Sequence, residues 1–122
     1  MKKLLLLFTL IPCLAFGQTT LIPDSAFEQN LIDLGLDTGT TDGSVPTANI
    51  SSITLLFLMT NNITDLTGIE DFTALEDLYC SSNQLTSLDV SNNTALTYLQ
   101  CSHNQLTSLD VSNNTALWSL DC

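Results

Sequence analysis

The sequence predicts an α/β repeat solenoid, a coil with a parallel β-sheet on its concave face and a helix closing its N-terminal end. Three observations lead there. From Leu75 onward the chain repeats itself with a period of 21 residues, and so short a unit has to bury its apolar side against its neighbours. Each unit opens on a Leu-x-x-Leu-x-Cys stretch whose fourth and sixth positions alternate as in a short strand. Ahead of the units, residues 21–36 carry the clearest helix signal in the chain.

The first regular unit reads LEDLYCSSNQLTSLDVSNNTA from Leu75 to Ala95, the second LTYLQCSHNQLTSLDVSNNTA from Leu96 to Ala116, and a third begins LWSLDC at Leu117. Leu75, Leu96 and Leu117 form one column, Leu78, Leu99 and Leu120 a second, Cys80, Cys101 and Cys122 a third, and Asn83 and Asn104 a fourth. A divergent copy precedes them. Aligning Ile53 with Leu75 sets Leu56 on Leu78, Leu58 on Cys80, Asn61 on Asn83, Ile63 on Leu85 and Leu66 on Leu88, in a unit of 22 residues. The repeats therefore occupy 53–122 as three units and a truncated fourth, with parallel strands centred near Leu56, Leu78, Leu99 and Leu120. The Asn after each strand is placed to satisfy backbone groups as the chain turns. On the back of the first unit Leu66, Ile69 and Phe72 lie three apart, as in a 3₁₀ or helical turn, whereas the LDV of the later units alternates like a short extended segment.

The patterns LxxLxCxxNxL and LxxLxLxxNxI resemble the leucine-rich repeat. The Cys together with LDVSNN is similar to bacterial secreted and cell-surface members, and the longer first unit is closer to internalin-type repeats. The resemblance covers Ile53 to Cys122, and the IPDxxFExxLIDLG stretch before it resembles the opening of some secreted bacterial members. It implies a parallel sheet lining the inside of an arc that binds protein or another macromolecule. Such a motif specifies fold far more than ligand, because function on a shared scaffold lives in the variable positions.

Taken from the first residue, MKKLLLLFTLIPCLAFG has Lys2 and Lys3 before an apolar run and ends on Ala15-Phe16-Gly17, a small-x-small cleavage pattern. Residues 1–17 read as a secretory signal peptide, too short in its apolar run for a membrane anchor. Cys13 raises a lipoprotein reading, which the bulky Ile11 and Pro12 before it disfavour. Cleavage after Gly17 removes the only two basic side chains and leaves all 13 acidic ones. A surface so charged repels nucleic acid and anionic membranes, so neither a nucleic-acid partner nor membrane insertion of the mature chain is expected.

Residues 18–52 read as an N-terminal cap. Its helix runs near Asp24 to Leu34, with Asp24 or Ser25 capping the start, Glu28 as capping-box partner, Phe27, Leu31, Ile32 and Leu34 as the apolar stripe, and Gly35 as the stop. The polar DTGTTDGSVPT from Asp37 to Thr47 raises a calcium-loop question. With Asp42 and Gly43 at loop positions five and six, Thr38, Thr40 and Asn49 stand where carboxylates belong, and starting at Asp37 loses the required Gly. A plain Gly- and Asp-rich turn is the better reading.

The chemistry of an enzyme is missing. His103 is the sole histidine, so no nucleophile–base pair, cofactor loop or metal set can be assembled around it. No catalytic residue, cofactor or metal is expected. Cys80, Cys101 and Cys122 suggest disulfides in a secreted chain, but they stand in the buried Leu58 column, where Cys packs as a small apolar residue. Parallel in-register strands also point their side chains the same way, which suits a disulfide poorly. They read as a reduced ladder.

The outward strand positions are the candidate recognition surface: Leu55, Phe57 and Met59, then Asp77, Tyr79 and Ser81, then Tyr98, Gln100 and Ser102, then Ser119 and Asp121. Tyr79 and Tyr98 sit diagonally and can form one platform. Two accounts of Leu55, Phe57 and Met59 stay open: an apolar end of the surface, or a patch covered by the N-terminal segment. The candidate ligand-binding residues are Tyr79, Tyr98, Asp77, Gln100, Phe57 and Asp121. The chain thus reads as a non-catalytic secreted or surface-displayed recognition module. A protein ligand would be expected to bring Lys or Arg, and a glycan to stack on the tyrosines. The alternative is a structural spacer presenting a C-terminal domain beyond Cys122, where the sequence stops inside a strand and further coils are expected.

Overall fold

The computed structural model describes residues 17–122. The expected signal peptide, apart from Gly17, and Cys13 within it lie outside the described residues. In chain order the elements are strand β1 (Thr19–Leu21), helix α1 (Ser25–Asp33), β2 (Ser44–Pro46), a short helix α2 (Thr47–Ile50), β3 (Leu55–Phe57), a 3₁₀ turn (Ile69–Asp71), β4 (Asp77–Tyr79), β5 (Tyr98–Gln100) and β6 (Ser119–Asp121). The result is an α/β domain with one parallel sheet and short helices.

The parallel sheet has the order β3-β4-β5-β6, and each step to the next strand is one repeat in sequence. Leu56 pairs with Leu78, Leu78 with Leu99, and Leu99 with Leu120. These are the centres predicted from the columns. Backbone bonds continue the ladder past the strand ends, from Leu58 N to Tyr79 O at 2.7 Å, Cys80 N to Gln100 O at 2.8 Å and Cys101 N to Asp121 O at 2.7 Å. Leu56, Leu58, Leu78, Cys80, Leu99 and Cys101 all point inward and are buried. Leu120 departs from its column and is 43% exposed: among the described residues no unit packs beyond β6, whereas at the other edge strand, β3, Leu56 is buried.

After β4 and β5 the Asn column does the work expected of it, whereas Asn61 after β3 contributes only its backbone N–H, donated to Asn83 Oδ1. Asn83 Nδ2 donates to the carbonyls of Leu58 and Cys80, and its Oδ1 accepts from Ile63 N at 3.0 Å. Asn104 repeats this one unit on, donating to the Cys80 and Cys101 carbonyls and accepting from Leu85 N. A second ladder, on the back, has no counterpart among the sequence expectations. The buried Asn93 donates to the carbonyls of Ile69 and Phe72, and the buried Asn114 to those of Val90 and Asn93.

The back of the first unit forms the 3₁₀ turn that the spacing of Leu66, Ile69 and Phe72 predicts. The LDV stretches do not become strands. They run as irregular chain into turns closed by Asn93 N to Val90 O and Asn114 N to Val111 O, without a ladder of their own. Alternation there buries Leu88 and Val90 without the pairing that defines a strand.

At the N-terminal side, Asp24 is the helix cap: its Oδ1 accepts from Ala26 N and Phe27 N. The capping box with Glu28 does not form, because Asp24 rather than Ser25 takes the cap and Glu28 then lies one residue beyond the box position. Glu28 is buried instead, and its carboxylate accepts from Asp42 N at 2.6 Å and Gly43 N at 2.9 Å, holding the turn that follows the helix. The apolar stripe is narrower than predicted: Phe27 and Leu31 are buried, Ile32 is half-buried and Leu34 is exposed. Phe27 stacks on Phe72 of the first unit with ring centroids 6.2 Å apart.

The 37–47 stretch is a turn into β2. Asp42 spends its Oδ1 on Ser44 N and Ser44 Oγ. Beyond it β1 and β2 pair antiparallel, Thr20 opposite Val45, a contact without sequence signal because two three-residue strands carry too little alternation to read.

Candidate recognition face

Alternation along β3, β4 and β5 sends every second side chain away from the Leu and Cys core, and these outward residues make one continuous face. Leu55, Phe57 and Met59 lie open on it, Phe57 at 52% exposure. The covered alternative is therefore overturned. The segment before Ile53 packs on the opposite side of the first unit, where Asp24 Oδ2 accepts from Thr64 N and Asp65 N and Phe27 meets Phe72.

Four aromatic rings cross this face as a diagonal row. Phe57 and Tyr79 are direct partners in register, and their rings stack at 4.4 Å with 23° between planes. Tyr98, which pairs in register with Asp77, leans back to bring its ring within 5.0 Å of Tyr79. Trp118, just before β6, continues the row 6.1 Å from Tyr98 and is 77% exposed. Sequence alternation points to the two tyrosines and Phe57 but misses Trp118. It stands at the second position of its unit, outside strict strand alternation, in a column otherwise filled by Thr54, Glu76 and Thr97; its signal is to be the only Trp in the chain.

Polar groups flank the row. Asp77 Oδ1 accepts from Thr97 Oγ1 at 3.2 Å on one side; on the other Gln100 Nε2 donates to Asp121 Oδ2 at 3.2 Å, and the Ser81 and Ser102 hydroxyls meet at 3.1 Å. All six predicted ligand-binding residues thus share one face, and both aspartates are held by neutral donors alone.

His103 stands at the rim of the face and is exposed. It shares with Thr60 and Ser82, its counterparts in the two preceding units, a left-handed backbone at φ 55°, 60° and 58°, so the position is first a turn. Among the described residues no group of three or more His, Cys, Asp and Glu is placed to hold a metal ion. Cys80 and Cys101 are free and buried, and Cys122 is free and exposed. Burial pushes the Cys80 thiol up to about 12, with the neighbouring Cys101 adding to it. Cys101 is likewise pushed up to about 12 by burial and then by Cys122. Such thiols stay protonated and unreactive at neutral pH. The back of the molecule carries a shallow polar groove lined by Ser87, Asp89, Ser108 and Asp110. Its two carboxylates are engaged by the backbone of Ser91 and Ser112.

No family model and no curated protein matches the chain. Solved structures do. The functional domain of InlJ from Listeria monocytogenes, described as including a cysteine ladder, is similar at 39% identity and a TM-score of 0.77 over 87% of this chain and 24% of that one. The internalin InlF from the same species is similar at 28% identity and a TM-score of 0.70, over 81% of this chain and 29% of that one. Internalin C2, at 22% identity and a TM-score of 0.69 over 84% of this chain and 49% of that one, shares the fold. The chain therefore spans about a quarter of the length of the first two and half of the third.

Proposed function

The chain is a leucine-rich repeat protein of the internalin-like, cysteine-containing type, and we propose that it is a non-catalytic recognition module that binds a protein or glycan through the outward face of its parallel sheet. One observation carries this reading: an open row of four rings, Phe57, Tyr79, Tyr98 and Trp118, spans three strands and the approach to the fourth. Large exposed aromatic patches are costly in water and concentrate binding energy when a partner covers them. A spacer has no use for such a row, which favours recognition over the structural alternative.

In this reading the units from Ile53 to Cys122 stack as one solenoid coil, α1 and the β1–β2 pair within 18–52 close its first edge, and residues 1–17 direct the chain out of the cell. Secretion or display on a bacterial surface follows from that leader and from the kinship with internalins. Among the described residues no helix is long and apolar enough to cross a membrane.

The test is a protein and glycan array probed with wild type and with a Tyr79→Ala/Tyr98→Ala double variant. The variant should lose binding with an unchanged circular dichroism spectrum. If it keeps binding, and altering Ser87 and Ser108 on the back abolishes it, the functional surface lies there instead.

A further inference from the structure

Resting on the recognition reading, we infer that the partner is a protein segment presenting an apolar side chain flanked by Arg or Lys, anchored on Trp118, rather than a glycan. The ring geometry gives the first reason. A sugar binds an aromatic by laying its C–H face on a bare π-face, and the central ring offers none: Tyr79 lies on the middle of three strands with Phe57 at 4.4 Å on one side and Tyr98 at 5.0 Å on the other. Tyr79 and Tyr98 are half-buried, and their hydroxyls suit main-chain hydrogen bonds to a peptide. Trp118, 77% exposed and tilted 58° from Tyr98, keeps an open face.

Charge gives the second reason. The row runs between carboxylates, Asp77 on one flank and Asp121 on the other, and no Lys or Arg follows Lys3 anywhere in the chain. Thr97 and Gln100 orient Asp77 and Asp121 without neutralising them. A guanidinium can fork onto such a carboxylate, and a cation can sit over the indole face. A neutral glycan gains nothing from this charge, and an acidic one is repelled by it.

The probe is a displayed random-peptide library selected on the full chain, with cellohexaose and chitohexaose as glycan arms. Emission of Trp118, the only Trp, reports engagement of the face, and anisotropy of labelled peptide measures affinity for the variants. Enriched peptides should carry Arg or Lys beside an apolar residue, shift the Trp118 emission, and weaken about tenfold or more on raising salt or on Asp77→Asn/Asp121→Asn. Peptides enriched without basic residues, or oligosaccharides shifting the emission when peptides do not, would overturn the inference while leaving the recognition face standing. Ligands whose affinity ignores both Trp118→Ala and Tyr79→Ala, in variants of unchanged circular dichroism, would overturn the recognition face itself.

Discussion

The carboxylate of Asp24 caps α1 with one oxygen and with the other accepts both N–H and O–H of Thr64, each at 2.8 Å, forty residues further along the chain. One side chain thus fixes a helix start and its docking on the first repeat. Burial alone would push this carboxyl up, but the bonds from Thr64, Phe27 and Asp65 outweigh it and hold it below the usual carboxylate range. A depressed folded value means stability that is present above the unfolded carboxylate range and is lost as pH falls through the folded value. Asp24→Ala should cost about 0.5–2 kcal/mol at neutral pH. Urea melts of both proteins should converge on acidification below pH ~4, and a difference that persists in acid would remove Asp24 from the account.

Asn83 and Asn93 offer a comparison within one molecule. Asn83 serves donors and acceptors, bonding the Leu58 and Cys80 carbonyls and the N–H groups of Asn61 and Ile63. Asn93 serves carbonyls only, and its Oδ1 has no donor. Each buried group left unpaired costs about 1–3 kcal/mol, so Asn83→Ala should destabilise more than Asn93→Ala. Equal melting shifts would contradict this.

The four-stranded sheet was legible in the sequence because its columns recur: Leu78, Leu99 and Leu120 are enough by themselves to set the register. The asparagine at the ninth position was legible for the same reason. Asn93 and Asn114 recur as faithfully, yet they sit in a polar SNNT run where no periodicity tells a buried amide from an exposed one. The role of Glu28 is not legible locally, because its partners, Asp42 and Gly43, lie across a turn that local rules do not see. Trp118 escapes the alternation rule, which sends only odd positions outward, whereas a large ring can lean onto its neighbour from the approach to the strand.

Leu99 tests the shared core. It is fully buried and paired between Leu78 and Leu120, so its truncation opens packing on two sides. Leu99→Ala should cost about 2–5 kcal/mol, a large part of the stability of so small a domain. A shift in the denaturation midpoint equivalent to less than about 1 kcal/mol would mean that the neighbouring units collapse to fill the gap.

The thiols separate by exposure. Alkylation needs thiolate, and both buried thiols are pushed up to about 12. Mass measurement after iodoacetamide treatment without denaturant should show Cys122 labelled and Cys80 and Cys101 untouched, with both labelled on unfolding. A native mass lower by two hydrogens would reveal a disulfide and defeat the reduced ladder.

At Gly68 the first repeat packs closely against the N-terminal segment. Its φ of 105° is a conformation that side chains avoid, and a Cβ there would collide with Ile22 Cδ1 and lie 2.7 Å from the Leu21 carbonyl oxygen. The carbonyl belongs to the end of β1 and cannot swing aside as a flexible side chain can, while Ile22 is fully buried against the same core. Gly68→Ala therefore has two costs, backbone strain of about 1–3 kcal/mol and a displaced β1. Gly39 supplies the control, since its φ of 89° is comparable but nothing lies within 4 Å of its Cβ position. Gly39→Ala should show the strain alone. Limited proteolysis should then cut Gly68→Ala within 18–52 well before Gly39→Ala or wild type, because a β1 that is pushed off exposes its backbone to the protease. Indistinguishable cleavage of the two variants would mean that the contact at Gly68 yields without releasing β1.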